Sequence, residues 1–181
     1  MVAVSGGAPR ARFWNRWRLG AWCGAAAFIL APLIAMHFTS EVNWGLEDFA
    51  FAVGMVVAAG GTYEFAARTT ASRAYKLALG IALGATFVLL WGNAAVGVIG
   101  SESNAINRVF DAVPVVGWAG AILARFRPMG MARAMTAAAA AQVLAFVIAL
   151  VGGYGFTGPI TVLFAAMWLT SAWLFAKASR P

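Results

Sequence analysis

Leu90-Trp91-Gly92-Asn93-Ala94-Ala95-Val96-Gly97-Val98-Ile99-Gly100-Ser101-Glu102-Ser103-Asn104-Ala105-Ile106-Asn107 passes within a few turns from lipid-like to water-like sequence. It starts inside a long apolar run and ends in amides, serines and a carboxylate, so it reads as a membrane helix reaching its boundary. Asn93 stands about a turn and a half inside that boundary. An amide in hydrocarbon must find partners, so it should face other helices rather than lipid.

The rest of the chain follows the same pattern. Its 181 residues are 62% hydrophobic and only 10% charged, with a mean hydropathy of +0.81. A water-soluble chain of this length would need far more polar surface. The apolar runs are about 18–25 residues long, enough to cross a hydrocarbon core of about 30 Å. They do not alternate as β-barrel strands would. Six spans are predicted, over 19–37, 47–67, 75–100, 109–125, 133–153 and 158–176. The fourth is short and carries Asp111 and Pro114 near its start.

Charge placement tests the count. With six spans, segments 1–18, 68–76, 125–133 and 177–181 share one side and hold every basic residue except Arg108. The opposite ends hold Glu41, Glu47, Asp48, Glu102 and Asp111, every acid except Glu64. Lys and Arg mark the cytoplasmic side, which puts both termini there. The expected fold is therefore all-α, a polytopic transmembrane bundle of six helices with both termini cytoplasmic. Residues 1–18 form a basic, aromatic cytoplasmic head, and residues 19–181 a single transmembrane domain. The first apolar run is too long for a signal-peptide core and Met36-His37-Phe38 is a poor cleavage site, so this helix is expected to stay. The net charge of +7 is explained by topology, and nucleic acid is not an expected partner.

Small residues mark helix faces. Gly54 and Ala58, Gly80 and Gly84, and Gly117 and Ala121 are each four apart, and Ala137 to Ala141 is a compact surface. Such faces let helix backbones approach, and internal packing is favoured over dimerisation. Cys23, the single cysteine, excludes an internal disulfide and reads as a small core residue.

Four polar features could carry chemistry. The first is an outer rim made of Glu41, Asn43, Glu47 and Asp48 between the first two helices, and Glu102, Asn104, Asn107 and Asp111 between the third and fourth. Oxygen ligands on neighbouring loops suit a hard cation or a solute vestibule, though no EF-hand spacing is present. The simpler reading is turn and cap chemistry, with acids placed at helix N-termini. The second is Asn93, either an interhelical packing amide or the floor of that vestibule. The third is Glu64, with Arg68 at i+4, either an interfacial ion pair or an inner coupling acid. The fourth is His37, which alone cannot supply bis-histidine haem ligation or a histidine-rich zinc site. No metal site and no cofactor are expected. HExxH, GxSxG, GxxxxGK[ST], CxxC and SxxK are all absent from the sequence, and no catalytic residue is assigned.

Asn43-Trp44 with Glu47-Asp48-Phe49, then Gly61-Thr62-Tyr63-Glu64, then the Leu90–Asn104 stretch, then Ala124-Arg125-Phe126-Arg127-Pro128-Met129-Gly130-Met131-Ala132 resemble a family of small uncharacterised bacterial six-span membrane proteins. Members often carry an acid where Ser103 stands, which removes one ligand from any metal reading. The resemblance implies a bacterial six-span protein and adds no mechanism; the absent catalytic constellation and the very short loops carry the functional expectation. The expected function is therefore a non-enzymatic integral inner-membrane protein, an accessory, assembly or membrane-stress component. Its expected partners are the lipid bilayer and other membrane proteins or a second copy of the chain. Two alternatives stay open. One is a small-solute or cation transporter or channel with the acidic outer vestibule, and the other is a membrane enzyme acting on a lipid or quinone.

Overall fold

A computed structural model of the chain describes residues 16–180. The described residues form six α-helices: α1 (Arg16–Ala35), α2 (Leu46–Thr69), α3 (Arg73–Val96), α4 (Arg108–Leu123), α5 (Pro128–Val151) and α6 (Gly158–Ala178). A short 3-10 turn, Ala105–Asn107, leads into α4. There is no strand among the described residues, and all six helical segments are long and apolar enough to cross a membrane. This is the fold of a multi-pass helical membrane protein. The basic head expected over 1–18 lies outside the described residues up to position 15, and Arg16 opens α1.

The chain divides into two compact units, residues 1–57 and 58–181, with the division inside α2. In the second unit, α3, α4, α5 and α6 form an up-and-down ring in which α5 packs along α4 on one side and α6 on the other. The ring closes where Ser171 Oγ donates to Ala78 O of α3 (2.8 Å) and Trp118 Nε1 of α4 donates to Thr86 Oγ1 of α3 (2.8 Å). Inside lie Leu79, Leu89, Phe110, Val113, Met131, Met135, Trp168 and Phe175, all nearly or wholly buried.

The sequence explains why α5 can sit at the centre. Met131, Ala134, Met135, Ala138, Ala145 and Ala149 fall at helical spacing, and all are buried. Alanines on that face permit close approach, so dispersion contacts replace the missing hydrophobic drive between helices in lipid. The facing positions on α4 are glycines. A Cβ at Gly117 would lie 3.2 Å from Ala138 Cβ, and one at Gly120 would lie 2.9 Å from Ala134 Cβ. Gly117 and Ala121 thus serve internal packing. Gly84 does not, since nothing lies within 4 Å of a Cβ placed on it.

Two boundaries differ from the sequence reading by four residues or more. Helix α5 begins at Pro128 rather than 133, with the proline in the first turn where a missing N–H costs nothing. Helix α3 ends at Val96 rather than 100, because Gly97 turns to φ +76°. Cys23 is exposed on α1, not a core residue.

Candidate functional site

The polar stretch after α3 is organised by two buried amides. Asn93 and Asn107 are only 4% and 3% exposed. Asn93 Nδ2 donates to Asn107 O (2.9 Å) and to Asp111 Oδ1 (2.6 Å), while its Oδ1 accepts from the Val98 N–H (3.0 Å). Asn107 Oδ1 accepts from the Ile99 N–H (2.9 Å), and its Nδ2 donates to Ser101 O (2.8 Å) and Ile99 O (3.3 Å). Each amide has thus used both donor hydrogens and its carbonyl.

The local sequence dictates this arrangement. A helix leaves its last carbonyls and the following N–H groups without partners. Gly97 bends the chain back with its own N–H on Asn93 O (3.0 Å), and the Asn93 side chain then catches Val98. A Cβ at Gly97 would lie 2.6 Å from Ser101 O and 2.7 Å from Asn107 Nδ2, so only glycine fits. Asn104 Oδ1 accepts from the Ile106 N–H (3.3 Å) and caps the 3-10 turn. Asp111 sits in the first turn of α4, where the helix dipole favours a negative charge. Together these groups fasten the end of α3 to the start of α4.

The other candidate residues sit apart from this lock. Glu102 is exposed. Glu41 and Asp48 belong to the first compact unit and are exposed as well. Asp48 Oδ2 accepts from the Gly45 N–H (2.9 Å), which caps the start of α2. Glu64 Oε2 lies 3.7 Å from Arg68 Nε, one turn further along the same helix. His37 Nδ1 lies 3.1 Å from Leu33 O at the end of α1. Among the described residues, no three His, Cys, Asp or Glu side chains gather as a metal site.

At the opposite end of the ring a groove of about 570 Å³ runs beside Thr62, Phe65, Ala66, Tyr75, Leu79 and Phe126. Neither Asn93 nor Glu64 lines it. The Tyr75 hydroxyl donates to Phe126 O (2.9 Å), and its ring meets Phe175 edge-on at 4.9 Å. These contacts gather the start of α3, the α4–α5 turn and the end of α6.

Sequence reasoning passed over a polar feature deep in the bundle. Gln142 is fully buried on α5, and neither its Oε1 nor its Nε2 has a hydrogen-bond partner. Trp168 Nε1 and Thr161 Oγ1 on α6 are also buried without partners. The signal was legible, since Gln142 is the lone amide of α5 and stands mid-span among apolar residues.

No protein-family model matches the chain, no curated protein matches it, and no solved structure matches its fold.

Proposed function

We propose that the chain is a non-enzymatic multi-pass membrane protein, an accessory or assembly component that offers its first helices to another membrane protein. The observation that carries this reading is the pair of glycines one turn apart on α1, Gly20 and Gly24. Within the first unit, a Cβ at either would meet nothing within 4 Å. Glycines one turn apart on an apolar helix let a second helix approach closely. Gly54 of α2 is equally open within that unit. The placement of Lys and Arg and the resemblance to small six-span proteins support a bacterial inner-membrane location with cytoplasmic termini.

The saturated amides also favour this reading over transport. A vestibule floor at Asn93 would first have to give up its three side-chain hydrogen bonds. The reading as an enzyme acting on a lipid or quinone has one observation in its favour, the groove beside Tyr75. Two of its hydroxyls are engaged, however: Tyr75 donates to Phe126 O and Thr69 to Phe65 O.

Cys23 provides the test, because it is the single cysteine, exposed on α1. A benzophenone attached there and photolysed in native membranes should give one discrete adduct with a second membrane protein. Gly24→Ile should weaken that adduct. Adducts with lipid alone, together with substrate turnover by the purified chain, would overturn the reading.

A further inference from the structure

The turn between α4 and α5 is strongly basic and has no counter-charge. Arg125, Arg127 and Arg133 line one groove of about 790 Å³ together with Leu123, Met129 and Ala137. No acid lines this groove, and none of the three arginines forms an ion pair among the described residues. A guanidinium presents a planar fork of N–H donors that matches a phosphate better than a lysine does. Three such forks on one rim define a site for a phosphate-bearing anion.

The backbone adds to the positive field. Helix α5 has Arg127 as its N-cap residue, without a side-chain cap, and no acid in its first turn. Arg127 therefore stands at the positive end of the α5 dipole, an arrangement that a bound anion relieves. The turn is also well fixed. A Cβ at Gly130 would collide with Ala124, and Phe126 O is held by the Tyr75 hydroxyl.

The apolar wall decides between a free anion and a lipid. Leu123 is 85% exposed and Met129 is 47% exposed, beside the arginines. A small inorganic anion has no use for that surface, whereas an acyl chain does. Both helices that flank the turn are long and apolar enough to span a membrane, which puts the groove at the headgroup level. We propose that this groove binds an anionic phospholipid, with its phosphate between Arg125, Arg127 and Arg133 and its chain against Leu123 and Met129. The inference rests on the membrane-spanning reading of α4 and α5 and not on the accessory role.

Arginines at a span end also set topology without holding any one lipid, so the test must separate local from diffuse charge. The full chain, purified in neutral detergent, is titrated with dioleoyl phosphatidylglycerol or with dioleoyl phosphatidylcholine, and bound lipid is counted by native mass spectrometry. Three basic side chains near an anionic headgroup give an expected preference of roughly 100-fold for phosphatidylglycerol. Arg125→Gln, Arg127→Gln and Arg133→Gln combined should reduce it to about threefold. Arg73→Gln, Lys76→Gln and Lys177→Gln combined should leave it in place. Helical circular dichroism checks the fold, and Arg127→Gln with Arg133→Gln serves if the triple variant does not fold. Equal retention of the two lipids, an unaltered preference in the Arg125 triple variant, or an equal loss in the Lys76 triple variant would overturn the proposal. Displacement of the lipid by millimolar inorganic phosphate would overturn it too, because the groove would then be a plain anion site.

Discussion

Replacing Asn93 by alanine is the most informative perturbation of this chain. The change removes three hydrogen bonds, one of them to a carboxylate at 2.6 Å. A neutral bond contributes about 0.5–1.5 kcal/mol net and a bond to a charged group about 1.5–3 kcal/mol, so two of the first and one of the second give about 2.5–6 kcal/mol. Side-chain bonds between helices in membrane bundles average only about 0.6 kcal/mol, so the floor is about 2 kcal/mol. For a domain of this size each kcal/mol moves Tm by about 2–4 °C, so Asn93→Ala should lower Tm by at least about 4 °C. Hydrogen exchange gives a sharper readout. The Val98 N–H donates to Asn93 Oδ1, whereas the neighbouring Ile99 N–H donates to Asn107 Oδ1. Asn93→Ala should therefore deprotect Val98 far more than Ile99, and Asn107→Ala should reverse the order. Both side chains hold the same loop, so the double variant should be non-additive by more than about 0.5 kcal/mol. A Tm within about 1 °C of wild type, with Val98 still protected, would refute the lock. Asn93 would then be free for the vestibule floor.

Three further perturbations probe separate parts of the bundle. Gln142→Met replaces a fully buried amide without partners by an apolar side chain of similar length, so it should raise stability by about 1–3 kcal/mol in a denaturation titration; a loss would show that the amide is bonded in the folded protein. Gly97→Ala forces a Cβ to within 2.6 Å of Ser101 O at φ +76° and should cost about 1–3 kcal/mol, seen as a lower Tm. Gly120→Val presses on Ala134 and should destabilise by about 1–3 kcal/mol, while Gly84→Ala faces open space and should gain up to about 1 kcal/mol of helix propensity. Equal effects at Gly120 and Gly84 in the same titration would deny that α4 and α5 meet through glycine.

The helices were legible in the sequence because one quantity decides them. An apolar run long enough to span a membrane has no other stable conformation in lipid than a helix. The segregation of charge was legible for a related reason. Tyr75 joins the start of α3 to the α4–α5 turn and to Phe175 near the end of α6, which brings the basic segments onto one end of the ring. What the sequence concealed depends on who meets whom. Gly84 and Gly117 look alike as letters, yet only Gly117 has an alanine against it. Periodicity marks a face, and packing decides whether it is used. Apolarity points to an end of α3 four residues beyond the real one, because it continues through Val98 and Ile99 after the helix has stopped. Gly97 and the side chain of Asn93 set that end, and their effect is conformational rather than hydrophobic.

Asn93 also shows why an intramembrane polar residue is a weaker functional signal at a helix end than in mid-span. Near an end, the backbone itself supplies unpaired N–H and C=O groups within reach of a short amide. Here these groups and Asp111 take both donor hydrogens of Asn93 and bond its carbonyl, and no donor is left over for a ligand. Gln142 is the reverse case. Every backbone group around a mid-helix position is already bonded along the helix, so a buried amide there turns to a neighbouring helix, and Gln142 has found no partner on one. The same reasoning ranks the charged residues. Glu64 has Arg68 one turn away, whereas Arg125, Arg127 and Arg133 share a groove without an acid. Uncompensated charge beside exposed apolar surface, like the unpartnered Gln142 amide, is left open by the fold itself, and at the α4–α5 groove it is what the proposed lipid would answer.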